Sequence, residues 1–394
     1  MKGALSFPFL RLYGLTLLYF GANSVLNVIL PLKGQSLGAT NTAIGIIMGA
    51  YLFTTMLFRP WAGLLIHRYG PIPVLRTILV VNGLALLLYT VTGLGGYLAA
   101  RMLQGACTAF FSMALQLGII DALPDRERSQ GISMYSLVAS VPGIFGPLLA
   151  VGMWQSGTSF WFAASMIAFA LLTGVVGYTA RMTPHAGKPT ADQKKQGTEM
   201  LQSFGQLIRH PRLFRCSMLM LAASLVFGAS TTFIPLYAPQ VRAGHAEIYL
   251  LLQAGTLVAT RWVWRKRIPS DGRWHTGYVV TVTLLIAAAA QAIGFAAAGG
   301  AAFFYTGALL LGVAQALLYP ALTSYLSFVL PAASRNVLLG LFIAMADLGM
   351  SLGSIVMGPV ADLVSYPSMY TICAILSVAM LFFAYERRAS ASEA

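Results

Sequence analysis

Phe20-Gly21-Ala22-Asn23-Ser24, inside one apolar stretch, is echoed by Phe227-Gly228-Ala229-Ser230-Thr231 inside another. Gly105 and the Leu123-Pro124 pair return as Gly312 and Leu330-Pro331, at the same separation. These markers sit among about twelve apolar segments, each near the roughly 20 residues that a membrane span needs. A doubled bundle of such helices has a seam between its halves, and a small solute can cross there. The repeat therefore predicts an all-α membrane protein, its transmembrane helices divided between two pseudo-symmetric six-helix bundles.

Composition points the same way. The chain has 394 residues, of which 58% are hydrophobic and only 9% charged, too little charge to cover the surface of a soluble domain. The expected spans are 8–32, 42–66, 73–94, 97–120, 129–154, 159–180, 213–237, 246–266, 276–298, 301–328, 336–360 and 365–385. The eighth has the weakest pattern, because it dissolves into Arg261-Trp262-Val263-Trp264-Arg265-Lys266-Arg267. The first is too long for a cleavable signal, and no small-residue cleavage site leads into a soluble domain. Cys107, Cys216 and Cys373 fall in or at the edge of spans and read as small apolar fillers, neither a disulfide framework nor a metal site.

The net charge of +14 suggests nucleic acid only until its placement is considered. With the N-terminus inside, one set of loops collects Arg68, Arg76, Arg126, Arg128, Arg181, Lys188, Lys194, Lys195, Arg209 and Arg212. The same side then receives Arg265, Lys266, Arg267, Arg273, Arg335, Arg387 and Arg388, whereas the opposite loops hold Lys33 and Arg242. This is the positive-inside pattern: it places both termini in the cytoplasm and leaves no role for nucleic acid.

The long polar stretch 181–212 divides the chain into an N-terminal bundle, 1–180, a cytoplasmic linker and a C-terminal bundle, 213–394. Within the linker, 200–208 has apolar residues at helical spacing and either lies on the membrane surface or merely tethers the halves. No G-x-x-x-x-G-K-[ST] loop occurs, so a gradient is expected to drive any transport. No catalytic constellation, cofactor or resident metal is expected, and the chain reads as a monomer and not an enzyme.

Between the second and third spans stands Gly63-Leu64-Leu65-Ile66-His67-Arg68-Tyr69-Gly70. It resembles the G-x-x-x-D-R-x-G-R-[RK] loop of the major facilitator superfamily. By that resemblance Gly63 allows close helix packing, Gly70 a tight turn and Arg68 an ionic latch. His67 replaces the acid, so the latch would borrow Asp121; a basic turn that only fixes topology explains Arg68 equally well. Arg101-Met102-Leu103-Gln104-Gly105 matches the superfamily's R-x-x-Q-G element, whose arginine in similar proton-coupled exporters is linked to proton movement or substrate. An arginine inside a span costs at least roughly 2.5 kcal/mol, so it must face protein or a water-filled cavity. Pro142-Gly143-Ile144-Phe145-Gly146-Pro147 resembles the exporter-associated G-x-x-x-G-P motif, and Gly353…Gly358-Pro359 repeats the theme. Both create thin, kinkable helix faces.

The charges inside spans narrow the cargo. Asp347, near the middle of the eleventh span, is the acid set deepest in any span. Arg59 and Arg261 lie toward the cytoplasmic ends of the second and eighth, and Gly70 and Gly272 follow each by the same interval. A guanidinium pairs bidentately with carboxylate, so three arginines against one aspartate favour anionic or zwitterionic solutes. The alternative is that Arg59 and Arg261 snorkel to lipid phosphates. Asp347 is either a proton carrier working with Arg101 or a permanent partner of an arginine. Tyr19, Asn23 and Asn27 form a stripe four residues apart on the first span, and Gln253, Gln315 and Tyr319 occupy the eighth and tenth. Such groups orient polar substrates or act as interhelical glue.

A closer resemblance covers mainly the first half. Phe9-Leu10-Arg11-Leu12-Tyr13-Gly14-Leu15-Thr16-Leu17-Leu18-Tyr19-Phe20, Met48-Gly49-Ala50-Tyr51, Phe58-Arg59-Pro60-Trp61-Ala62-Gly63 and Thr108-Ala109-Phe110-Phe111-Ser112-Met113-Ala114-Leu115-Gln116 are similar to the staphylopine-type metallophore exporters. That resemblance implies an opine-like chelator bearing carboxylates, amines and often an imidazole as cargo, and the chain then reads as its exporter in a bacterial inner membrane, working by alternating access against inward proton flow. The runner-up is a general multidrug/proton antiporter. A ligand-binding membrane sensor is a third reading, weakened because no output domain is evident.

Overall fold

The computed structural model describes residues 6–123, 125–180, 210–264, 267–269, 271–331 and 334–385. The first half contains α1 (Phe7–Ser36), α2 (Asn41–Tyr69), α3 (Pro71–Val91), α4 (Leu94–Ala122), α5 (Asp125–Ser140), α6 (Pro142–Gln155) and α7 (Ser159–Tyr178). The second contains α8 (Pro211–Tyr237), α9 (Ala246–Trp264), α10 (Thr276–Gly299), α11 (Ala301–Val329), α12 (Arg335–Leu363), α13 (Tyr366–Ala379) and the short α14 (Leu381–Ala384). Among the described residues, eleven spans are long and apolar enough to cross a membrane. The chain is thus a multi-pass, all-helical membrane protein.

The differences from the expected spans have local causes. The fifth is broken into α5 and α6 at Val141–Pro142, since a proline supplies no N–H to the helix ladder. The twelfth divides at Met380 into α13 and α14, with no proline at the break. The eighth is α9, which is outside the eleven. Glu247, Gln253 and Arg261 dilute its apolar character. The expected linker falls mainly on 181–209, outside the described residues.

Helix starts follow the sequence. Proline opens α3, α6 and α8, where a missing N–H costs nothing. The Thr40 hydroxyl accepts from the Ala43 N–H and caps α2. Gly70, at φ +83°, makes the turn from α2 into α3, a left-handed conformation that favours glycine.

The packing repeats along with the sequence. In the first half α4 lies against α2 and α3, and α3 against α7; in the second, α11 lies against α9 and α10, and α10 against α13. The seam repeats as well, with α2 of the first half on α12 of the second and α9 of the second on α6 of the first. α1 meets α8 between these two contacts. One apolar core runs through the second half and on into the first, from Ala22–Leu30 of α1 to Ile44, Leu86, Ala100 and Met166, and a separate one lies in the first half around Leu12, Leu75, Phe111 and Leu115.

Gly105 and Gly312 mark equivalent crossings. A Cβ on Gly105 would strike the Tyr51 carbonyl and Thr54, and one on Gly312 would lie 2.5 Å from the Gln253 carbonyl oxygen. The repeated glycines are therefore the points where α4 crosses α2 and α11 crosses α9 with backbones nearly touching.

Candidate transport cavity

The seam encloses a cavity of about 620 Å³, lined from both halves. α2 contributes Tyr51, Thr55 and Arg59, and α4 contributes Thr108, Ser112 and Gln116, each set spaced four residues apart. α12 contributes Asp347, Met350 and Ser354, α8 contributes Thr231 and Thr232, and Tyr319 comes from α11. A second lobe of about 280 Å³ shares Phe20, Asn23, Asn27 and Thr231 with the first and reaches Gln253, Gln315, Pro142, Gly143 and Pro147. The lining runs along the middle of α2 from Met48 to Arg59, the later half of α4 as far as Gln116, and Ile132, Tyr135 and Ser136 of α5, so the cavity extends toward the Gln116 end of α4.

At the opposite end, marked by Asn41, the walls meet. The Ser351 hydroxyl donates to the Gly49 carbonyl at 2.9 Å, and a Cβ on Gly45 would strike the Ser354 carbonyl.

Two arginines define the electrostatics. Arg59 donates from Nε to Asp347 Oδ2 at 2.7 Å, an ion pair joining the halves on the cavity wall. The pair cancels its own charge. Arg101 is buried behind the wall, its two Nη atoms donating to Asn23 Oδ1 at 2.7 Å and Asn27 Oδ1 at 2.9 Å. Its guanidinium lies 5.2 Å from the Tyr51 ring centroid, and its Nε is buried without a hydrogen-bond partner. Among the described residues no carboxylate lies within ion-pair distance of Arg101. The cavity therefore carries a surplus positive charge in a medium of low dielectric, which favours an anionic group on an occupant.

The other expected site residues divide between lining and support. Asn23 and Asn27 reach the cavity while anchoring Arg101. Tyr19 does not; it is buried, stacked on Phe111 with centroids 3.8 Å apart, and its hydroxyl lies 2.9 Å from Thr108 Oγ1. Thr108 also meets the Tyr51 hydroxyl at 3.0 Å. Gln253 Nε2 donates to Gln315 Oε1 at 3.4 Å. Arg261 holds its Nε buried and without a partner, and Tyr319 lies within electrostatic reach of both Arg261 and Arg59.

The expected gating residues are placed unevenly. Arg68 is exposed and stacks over Tyr69 at 5.2 Å, while the side chains of His67 and Asp121 lie outside the described residues. A Cβ on Gly63 would meet nothing within 4 Å, so the close packing expected there is absent in this conformation. Among the described residues the close approaches to α2 lie elsewhere, at Gly45 and Gly49 against α12 and at Tyr51 and Thr54 against Gly105 of α4. Pro142 and Gly146 sit on α1: the Ser24 hydroxyl donates to the Pro142 carbonyl at 2.8 Å, and a Cβ on Gly146 would strike Ser24. A Cβ on Gly143 would lie 3.5 Å from Ala254 of α9, which puts the start of α6 on the second seam contact.

Sequence reasoning passed over Tyr51, Thr55, Thr108, Ser112 and Gln116. The signal was present, since α2 and α4 carry the same four-residue stripe that drew attention to α1.

A doubled helical bundle with a charged cavity on its seam defines a membrane transporter. A sequence profile of the Major Facilitator Superfamily matches residues 12–267, and the chain belongs to that family. It is 50% identical over 390 residues to the Staphylopine export protein of Staphylococcus aureus (strain Mu50 / ATCC 700699), covering 98% of each chain. It is 25% identical over 242 residues to Multidrug resistance protein 1 of Bacillus subtilis (strain 168), covering 58% of each. Among solved structures, a D-xylose-proton symporter matches with a TM-score of 0.74 at 16% identity, over 96% of this chain and 97% of that one. The human organic anion transporter MFSD10 matches with a TM-score of 0.69 at 16% identity, over 95% and 98%.

Proposed function

We propose that this chain exports a staphylopine-like metallophore, a zwitterion bearing carboxylates, from the cytoplasm by alternating access. The observation that carries the reading is the 50% identity to a staphylopine export protein along 98% of both chains. The cavity supports it independently, because Arg101 gives a polar, two-lobed space a positive surplus that suits carboxylates. The general multidrug antiporter is supported by a weaker relative over little more than half the chain.

In this reading the membrane is the bacterial inner membrane, both termini are cytoplasmic, and the Gln116 end of the cavity faces the cytoplasm. The bundles 1–180 and 213–394 are domains that rock about the seam, joined by the cytoplasmic linker 181–212. A carboxylate entering from the cytoplasm competes with Asp347 for Arg59. Once Arg59 turns to the cargo carboxylate, a cargo amine and a proton compete for Asp347, so the site holds one or the other in alternation. Arg261 and Tyr319 guide the anion inward, and Asn23, Asn27, Gln253 and Gln315 orient its polar groups. The working unit is a monomer, and metal, if carried, travels with the chelator as cargo.

The test is mass spectrometry of culture medium and cell extract, with and without the protein, in cells that make such a chelator. Loss of the protein is expected to lower the extracellular chelator and raise the intracellular pool. An unchanged distribution between medium and cells sinks the proposal.

A further inference from the structure

The end of the seam opposite the cavity is held by a contact that the superfamily loop motif does not supply. Asp362, near the end of α12, accepts from the backbone N–H of Asn41 at 2.9 Å and of Thr42 at 2.8 Å, and from the Thr42 hydroxyl at 2.6 Å. These N–H groups belong to the first turn of α2, where a helix has no acceptors of its own and a negative charge is favoured. Beside them the Tyr366 hydroxyl donates to Asn41 Oδ1 at 2.6 Å. Gly358 makes the approach feasible, since a Cβ there would lie 2.6 Å from the Asn41 carbonyl oxygen.

Gly358 and Asp362 have the G-x-x-x-D spacing of the loop element, whose own acid is replaced by His67 after Gly63. One glycine admits the neighbouring backbone, and the carboxylate one turn later grips it. The acid missing from the α2 end of the seam is thus present at the α12 end, and it joins the two halves.

We propose that Asp362 is a positioning residue of the transport cycle: its carboxylate clamps α2 to α12 at the outer end, biasing the protein toward the state whose cavity opens to the cytoplasm. The clamp must be released each time cargo leaves. The naming of the ends as outer and cytoplasmic rests on the orientation proposed above. Removing the carboxylate lowers the cost of opening, because charge-assisted hydrogen bonds hold only the closed form.

The test uses the full chain in right-side-out and inside-out vesicles, with Cys107, Cys216 and Cys373 replaced by alanine and Met350→Cys as a reporter in the cavity. A membrane-impermeant maleimide is the probe. Asp362→Asn is expected to raise labelling from the outer face by roughly tenfold, the effect of about one strong hydrogen bond on a two-state balance. Labelling from the cytoplasmic face should fall at the same time, and Asp362→Glu should restore part of the native ratio. A rise from both faces would mean a loosened fold, and no change from either face would mean a contact without control over access; each overturns the proposal. Orientation is judged separately, from the reporter protein that keeps Asp362: faster labelling from the outer face there would refute the assigned topology, whatever Asp362→Asn does. The cargo does not enter the measurement.

Discussion

Arg59 Nε and Asp347 Oδ2 lie 2.7 Å apart, although one belongs to α2 in the first half and the other to α12 in the second. The pair is therefore part of the seam as well as of the cavity wall. Whatever weakens it acts on the cargo site and on the contact between the halves together.

Removing one member should harm more than removing both. Arg59→Ala or Asp347→Ala leaves an uncompensated charge on the wall, whereas the double variant leaves none. The side chains retain 19% and 14% exposure, so each single variant should cost roughly 2 kcal/mol, below the roughly 3–5 kcal/mol of a fully buried pair. Thermal unfolding in detergent checks this. A double variant less stable than either single one would show that the pair contributes net stability beyond mutual neutralisation.

Arg59→Ala should also separate cargo classes. Transport of an anionic or zwitterionic solute should fall by about tenfold or more, since a charge-assisted contact is lost, while a lipophilic cation should be affected far less. Counterflow in proteoliposomes with one solute of each class measures the ratio. Equal losses would mark Arg59 as structural.

Asp347→Asn should flatten the response to an imposed proton gradient while leaving a residual downhill exchange. The substitution keeps the size of the side chain and removes its titration. Native protein that exchanges cargo at one rate across the pH range would take Asp347 out of the coupling scheme.

Arg101→Lys should not be tolerated as a conservative change. The guanidinium reaches Asn23 and Asn27 through separate nitrogens, and a single ammonium cannot reproduce that fork. Transport should drop by about tenfold with correct membrane insertion, whereas Asn23→Ala should cost less because the second amide remains. A native rate in Arg101→Lys would reduce the arginine to a generic charge.

Gly105→Ala and Gly312→Ala test the repeat itself. Both would drive a methyl group into the backbone of the neighbouring helix, and both should cost about 1–3 kcal/mol by overpacking. Melting temperatures should fall in each, by similar amounts. Gly63→Ala, which faces open space, serves as the control and should melt as the native protein does.

Much of this arrangement was legible because membrane helices are read one residue at a time. The apolar runs and the doubled glycines marked the helices and their repeat, since each depends on local composition. Arg101 stood out because an arginine in an apolar span needs a reason, and Asn23 and Asn27 were found by spacing. What the sequence could not convey was which neighbours meet across the seam. Arg59 looked like the counterpart of Arg261, but its partner is Asp347, far away in the chain and on the other half. Asp362 attracted no attention for the same reason: an acid at a helix end is ordinary until the start of another helix is found against it. Gly63 erred in the opposite direction, because a motif names a helix face and the conformation decides whether anything packs there.

α12 is gripped on two sides. Toward α2 its close contacts are with Gly45 and Gly49, and toward α8 its own Gly349 and Gly353 press on the Leu221 and Leu225 carbonyls, while Gly228 presses back on Met350. Neither flank has room for a larger side chain, so innovation in this helix is confined to the few positions that look into the cavity. On α12 those positions are Ile343, Asp347, Met350 and Ser354, and a wider choice of cavity positions lies on α1, α4, α5 and α9. Directed evolution of new solutes should begin from libraries on those helices.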